Sequence, residues 1–326
     1  AQPVGWMDCW FVSASASCVT GLTTVNTAAA WTPLGQVIIL LLMQLGGLGV
    51  MTFTYFISLF LSGGLLLGDR VVLRDLLNED NIGVIGQMLL LVCGATFLIE
   101  ALGAAWFYFS FDMAAYADDR LWFSVFHSVS AFCNAGFTLF ADDWHRTDIV
   151  RNLGMQGSLM FLIVLGGLGF PALKNAWDVG RNWVARKILR RQLQRLQWTP
   201  HTRLVMWMTA GLIVVGTLIF YATDAQRGWS TAAFDAVSCR TAGFSIENVA
   251  AWGTPAVMLT LFLMFVGGSP GGTGGGVRTT TFAVACLNAW QMLTQKSQLT
   301  LFNRSYEATL AQRAFAVIFL SAMYIF

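Results

Sequence analysis

Three short segments of this chain repeat one chemical pattern. They are Ser17-Cys18-Val19-Thr20-Gly21-Leu22-Thr23, Phe132-Cys133-Asn134-Ala135-Gly136-Phe137-Thr138 and Cys239-Arg240-Thr241-Ala242-Gly243-Phe244-Ser245. Each carries a small or polar residue, then glycine, a large apolar residue and a hydroxyl residue. None offers a nucleophile beside a base or a carboxylate pair. What they offer is backbone. Glycine adopts positive φ without a Cβ clash, so successive carbonyls can face one way. A ring of such carbonyls can replace the hydration shell of a monovalent cation. Gly21, Gly136 and Gly243 are therefore candidate filter glycines.

Other chemistry fits poorly. The six cysteines, Cys9, Cys18, Cys93, Cys133, Cys239 and Cys286, include no CxxC pair, and His127, His145 and His201 are scattered. Free thiols are expected, with no zinc site and no enzyme. The run Gly267-Gly268-Ser269-Pro270-Gly271-Gly272-Thr273-Gly274-Gly275-Gly276 is followed by Val277-Arg278-Thr279. A phosphate-binding P-loop needs lysine directly after its last glycine, so that reading is rejected. Proline and glycine instead break a helix here, inside an apolar stretch, which predicts an intramembrane loop. Glu100, within an apolar run, is costly in lipid and marks either function or a pairing with a half-helix. Arg240 is expected to fix its loop by bonding carbonyls, with Asp235 its most obvious partner.

The elements that position these residues are membrane helices. Hydrophobic residues make up 56% of the 326, and charged ones 11%, against about 25% in a soluble domain. Runs at Leu34–Leu61, Gly83–Phe109, Asn152–Leu173 and Leu204–Tyr221 are long enough to span. Another covers Pro255–Val266 and continues irregularly to about Leu293, and the last starts near Ala314. The stretches Trp10–Ala16, Phe123–Ala131 and Ala233–Ser238 suit re-entrant half-helices ahead of each glycine. Irregular backbone at that depth is tolerated only in protein or along a water-filled path. Gly46-Gly47-Leu48-Gly49, Gly166-Gly167-Leu168-Gly169 and Gly267-Gly268 follow, and close helix packing is the favoured reading of Gly46, Gly47, Gly166 and Gly167. Basic residues crowd Lys174–Arg203 and acids crowd Ser110–Arg151. The first segment is placed in the cytoplasm, the second outside. Nucleic-acid binding is not expected. Apolar Val184, Ile188, Leu189, Leu193 and Leu196 have helical spacing, which suits contact with anionic lipid or a cytoplasmic partner equally. No signal peptide is expected at Ala1.

The strings CVTGLTTVNT, QLGGLGVMTF, AFCNAGFTLF, CRTAGFS and GGSPGGTGGGVRTTTF resemble the membrane subunit of Ktr-type potassium uptake systems, in the Trk/Ktr/HKT superfamily. The resemblance implies an all-α membrane protein, with repeated M1–P–M2 units and re-entrant pore half-helices around one central pore. The filter then maps onto Val19, Thr20, Gly21, Asn134, Ala135, Gly136, Thr241, Ala242 and Gly243, with potassium bound there only. Glycine at Gly21 goes with potassium, where serine in the HKT branch goes with sodium. The glycine run at 267–276 becomes a gate below the filter. The resemblance also implies sodium as an activator in many such systems, a homodimer in the inner (plasma) membrane, and a cytoplasmic ring of nucleotide-binding regulatory subunits. The chain then divides into unit one without its first helix (1–61), a cytoplasmic linker (62–82), unit two (83–174), a basic cytoplasmic linker (175–202), unit three with a broken second helix (203–295) and a truncated unit four (296–326). It is expected to be a fragment of the whole pore. The alternative is a secondary transporter with broken helices and a midplane substrate site. Parallel repeats argue against the inverted arrangement common in that class.

Overall fold

The computed structural model describes residues 4–49, 85–110, 119–140, 152–188, 194, 196–223, 228–246, 249, 252–294, 299–301, 304–306 and 308–325. The linker expected at 62–82, the end of the Leu34–Leu61 run, and parts of the acidic and basic segments lie outside them. Three short helices precede the glycine segments: α1 (Trp6–Ser17), then, after α2 (Thr27–Ala30), α3 (Pro33–Leu48) and α4 (Ile85–Ser110), α5 (Arg120–Phe132). The third is α9 (Trp229–Ser238), reached after α6 (Leu153–Leu168), α7 (Phe170–Lys187) and α8 (Pro200–Thr223). The chain continues through α10 (Thr254–Phe265), α11 (Thr279–Leu293), a hairpin of β1 (Leu299–Leu301) and β2 (Arg304–Tyr306), and α12 (Ala308–Ile325).

Length separates two kinds of helix. At about 1.5 Å per residue, the 12, 13 and 10 residues of α1, α5 and α9 fall short of a ~30 Å hydrocarbon layer. The 26 residues of α4 and 24 of α8 are long and apolar enough to cross it. Local chemistry sets several boundaries. Thr32 Oγ1 accepts from Gly35 N at 3.3 Å, and Pro33 opens α3. Asn152 Oδ1 accepts from Met155 N at 3.1 Å, while its Nδ2 donates to the Ser110 carbonyl at 2.9 Å. One side chain therefore caps α6 and ties it to the end of α4.

Two helices close at glycines within expected spans. α3 stops at Gly49 (φ 79°) and α6 at Gly169 (φ 83°). Beyond Gly169 the chain turns through 104° into α7, so the run Asn152–Leu173 is not one helix. Glycine supplies the left-handed residue that closes a helix. Phe170 N donates to Gly271 O at 3.1 Å instead of continuing the α6 ladder. Of the helical spacing expected over 183–196, Val184 lies on α7 and Ile188 is its C-cap, Leu196 stands outside a helix, and Leu189 and Leu193 lie outside the described residues. Asn182 binds the Gln194 carbonyl and the Leu196 N–H, which holds those two residues alongside α7.

α1 packs on α3, and the other two half-helices each lie against several helices. α5 packs between α4 and α6 and also meets α3, while α9 packs on α8 and α6. Phe132, Phe140, Leu159, Leu162, Phe234 and Phe244 form one buried cluster, and Met43, Phe126, Val129, Ala135 and Phe137 belong to a second. Outward, α4 exposes Leu90, Phe97, Leu98 and Leu102, and α8 exposes Trp207, Val214, Val215 and Leu218. Apolar surface of that extent suits lipid or a further membrane helix rather than water.

Candidate functional site

Each half-helix ends at a cysteine cap, Cys18, Cys133 or Cys239, and the next turn reverses the chain. The first two closures are identical. Val19 N donates to Ala16 O and Thr20 N to Ser15 O; Asn134 N donates to Ala131 O and Ala135 N to Ser130 O. This paired 5→2 and 6→1 pattern needs a left-handed residue just past the helix. Val19 (φ 55°) and Asn134 (φ 56°) supply it. The third closure spends one more residue: Arg240 N donates to Val237 O, and the left-handed residue is Thr241 (φ 69°). Two residues later come Gly21 (φ 83°), Gly136 (φ 72°) and Gly243 (φ 81°). All three turns thus alternate left-handed, ordinary and left-handed backbone.

These turns meet. A Cβ placed on Gly21 would lie 2.4 Å from the Ala135 carbonyl oxygen and 3.2 Å from Gly136 Cα. One on Gly136 would lie 2.8 Å from Ala242 O and 3.2 Å from Gly243 Cα. One on Gly243 would face Gly136 Cα at 3.6 Å and Thr20 O at 3.9 Å. Residues more than a hundred positions apart in sequence therefore bring backbone carbonyls to a shared space, where a side chain at Gly21 or Gly136 has no room.

The supports behind the turns come from groups the repeat pattern does not mark. Ser130 Oγ donates to Phe137 O at 2.8 Å, and Ser238 Oγ donates to Phe244 O in the same way. Each returns the chain beyond the glycine to its half-helix. His127, fully buried in α5, has Nδ1 2.8 Å from Phe123 O, while its Nε2 accepts from Leu139 N at 3.3 Å. That acceptor role leaves the ring proton on Nδ1, facing the carbonyl. Glu100, buried in α4, accepts from Gln44 Nε2 of α3 at 3.0 Å, and its other oxygen faces Cys133 Sγ at 3.8 Å. Its backbone carbonyl accepts from Ser128 Oγ of α5 at 2.7 Å. One carboxyl group thus joins three helices behind the second turn. A serine five or six residues ahead of every glycine (Ser15, Ser130, Ser238) was the available sequence signal for part of this; the Glu100 partners carry none.

Gly46 and Gly166 sit against the half-helix ends. A Cβ on Gly46 would lie 2.3 Å from Ser17 O, and one on Gly166 1.9 Å from Phe132 O. A Cβ on Gly47 would likewise lie 2.5 Å from Cys133 Sγ. Close packing is what these glycines do.

The run Gly267–Gly276 is a folded loop. Gly267 N donates to Val277 O and Gly268 N to Gly275 O; outward, Ser269 N and Thr273 N donate to the carbonyls of Gly167 and Gly166. Thr273 Oγ1 donates to Phe132 O at 3.0 Å, and Gly275 N donates to Thr241 Oγ1 at 3.1 Å. The loop is therefore fastened to the end of the second half-helix and to the third turn. Arg278 Nη1 donates to Gly274 O at 2.7 Å. Arg240, 6% exposed, donates through Nη2 to Gly267 O at 3.2 Å, and Asp235 lies buried on α9. The structure thus places Arg240 against the loop rather than against a turn carbonyl. Among the described residues no cluster of three or more His, Cys, Asp or Glu forms a metal site, and the described cysteines are free.

The chain as a whole is similar to known cation transporters. A family model described as TrkH, cation transport protein, matches residues 1–320. The Ktr system potassium uptake protein B of Vibrio alginolyticus is 29% identical over 325 residues, covering 96% of this chain and 69% of its own length. The protein of that name from Bacillus subtilis is 30% identical over 337 residues, covering 100% of this chain and 72% of its own. The potassium/sodium uptake protein NtpJ of Enterococcus hirae is 29% identical over 326 residues, covering 97% and 69%. The crystal structure of the potassium transporter TrkH from Vibrio parahaemolyticus superposes with a TM-score of 0.72 at 17% identity, which shows a common fold. This chain covers 64% of that one, and 99% of itself is matched. These relatives are named as cation transporters and not as enzymes. The chain, a multi-pass helical membrane protein, belongs to the TrkH family of cation transport proteins.

Proposed function

We propose that the three turns are walls of a potassium filter, through which the intact protein carries K⁺ inward down the membrane potential. The observation that carries this reading is the threefold alternation of positive φ at Val19 and Gly21, Asn134 and Gly136, and Thr241 and Gly243, in turns that touch. Such backbone is costly, at about 1–3 kcal/mol for each non-glycine residue, and persists where function requires it. Backbone carbonyls so aligned suit a dehydrated monovalent cation. The half-helices add the negative ends of their dipoles, each about half a charge, beside the turns. The relatives named for potassium uptake support K⁺ as the ion, and the one named for potassium and sodium keeps Na⁺ in view as a second ion or activator.

The glycine loop is the gate in this reading. It sits between the second half-helix and the third turn, so its displacement would open the path beneath the walls. The working assembly is a homodimer in the plasma membrane, regulated by a cytoplasmic ring of nucleotide-binding subunits, as the Ktr resemblance implies. Uptake of radioactive rubidium into potassium-uptake-deficient cells tests the proposal. Wild type is expected to take up rubidium with little competition from sodium, and Gly21→Ser to lose uptake or admit sodium. A Gly21→Ser protein with unaltered rate and selectivity would overturn the filter.

A further inference from the structure

A cavity of about 560 Å³ opens between α7, the stretch 196–198 and the start of α8. That size lies within the range of about 300–1,000 Å³ common for ligand sites. Its walls include Trp183, Trp198, Arg186, Arg203, Asn182 and Gln197. Two asparagines shape it from behind. Asn182 bonds Gln194 O and Leu196 N at 3.1 and 3.3 Å, and Asn175 Oδ1 accepts from Thr199 N at 3.1 Å. The return stretch is thereby clamped along α7.

Position decides what fills the cavity. α6 and α7 form one broken apolar span bent by 104°, and α8, long and apolar enough to cross the hydrocarbon, begins at Pro200. The cavity thus lies where a membrane helix meets the polar interface, on the basic side that faces the cytoplasm. Trp177, Trp183 and Trp207 are 69%, 55% and 73% exposed there, as tryptophans at an interface are. The surrounding charge is cationic: Arg181, Arg186, Lys187 and Arg203, with Asp178 paired to Arg181 at 3.4 Å. Lys187 Nζ lies 5.0 Å from the centre of the Trp183 ring. Guanidinium forks match phosphate oxygens, and indole faces suit the glycerol and first methylenes beneath a headgroup.

We propose that this cavity binds the phosphate headgroup of an anionic phospholipid of the cytoplasmic leaflet. The site is separate from the glycine turns, and its test does not depend on ion transport. Native mass spectrometry of the intact purified protein would count phosphatidylglycerol and phosphatidylcholine adducts. The Arg186→Gln/Arg203→Gln variant is expected to hold phosphatidylglycerol about tenfold more weakly, with phosphatidylcholine unchanged. Arg181→Gln, an equal charge change outside the cavity for each residue altered, is expected to match wild type. Arg186→Gln alone, on an exposed helix surface, gives a smaller loss and serves should the double variant fail to fold. Excess inorganic phosphate is not expected to displace the lipid. The proposal is overturned if Arg181→Gln weakens lipid binding as much as Arg186→Gln, or if free phosphate removes the adducts. It is equally overturned if the cavity variants keep their lipid and lose only a cytoplasmic protein partner.

Discussion

Val19 and Thr241 hold β-branched side chains at φ 55° and 69°, where such residues are outliers, while Asn134 at φ 56° uses a side chain that tolerates the region. Val19→Asn is therefore expected to raise stability by about 1 kcal/mol, measured as thermal unfolding in detergent; a lower unfolding temperature would contradict the strain. Glu100 belongs to the same scale. Its carboxyl group accepts from Gln44 and faces Cys133 in a buried site, and a buried donor left alone costs roughly 1–3 kcal/mol. Glu100→Ala is expected to lose at least that much stability and Glu100→Gln much less, by the same assay. Equal stability of the two variants would show that the carboxylate ties nothing. The glycines of the turns were legible because they repeat. The Glu100 network was not, because its partners at 44, 128 and 133 share no spacing rule with it and meet only after three helices pack.

At the scale of elements, the half-helices and their following glycine runs could be read from hydropathy and repetition, though each half-helix extends beyond its apolar stretch. The break at Gly169 could not. Phe170, Pro171, Ala172 and Leu173 stay apolar across it, and the turn is fixed by a bond to Gly271, about a hundred residues on. Glycines within the helices now separate by environment. Gly166→Ala would drive a methyl into the Phe132 carbonyl, so it is expected to abolish accumulation of folded protein. Gly157 has nothing within 4 Å of a new Cβ, and Gly157→Ala is expected to be neutral or to stabilise by about 0.5–1 kcal/mol. Membrane yield and size-exclusion profiles check both, and equal behaviour would refute the packing role. The loop is held across elements by Thr273 and Thr241. If it is the gate, Thr273→Val loosens it, and rubidium uptake is expected to rise several-fold without regulatory input; a fall in uptake with unchanged protein level would assign Thr273 to the path itself.

The whole molecule places three backbone turns together inside an apolar shell, with a basic segment at one membrane face. A passive path for K⁺ gains about 2.3 kcal/mol per 100 mV of membrane potential. Uptake is thus expected to follow an imposed potential and to continue when the proton gradient alone is removed, measured in proteoliposomes; dependence on that gradient would favour a coupled transporter. Gly243 offers the most direct examination of the proposed filter. A Cβ there meets nothing nearer than 3.6 Å, so alanine has space, but it would need φ 81° and would project toward Gly136 and Thr20. The decisive measurement is rubidium uptake by the intact protein bearing Gly243→Ala, beside Gly94→Ala in α4, where a new Cβ also meets nothing. Wild-type amounts of both proteins are expected in the membrane, with uptake lost or sodium admitted for Gly243→Ala alone. Wild-type rate and selectivity from Gly243→Ala would show that the turns do not line the ion path.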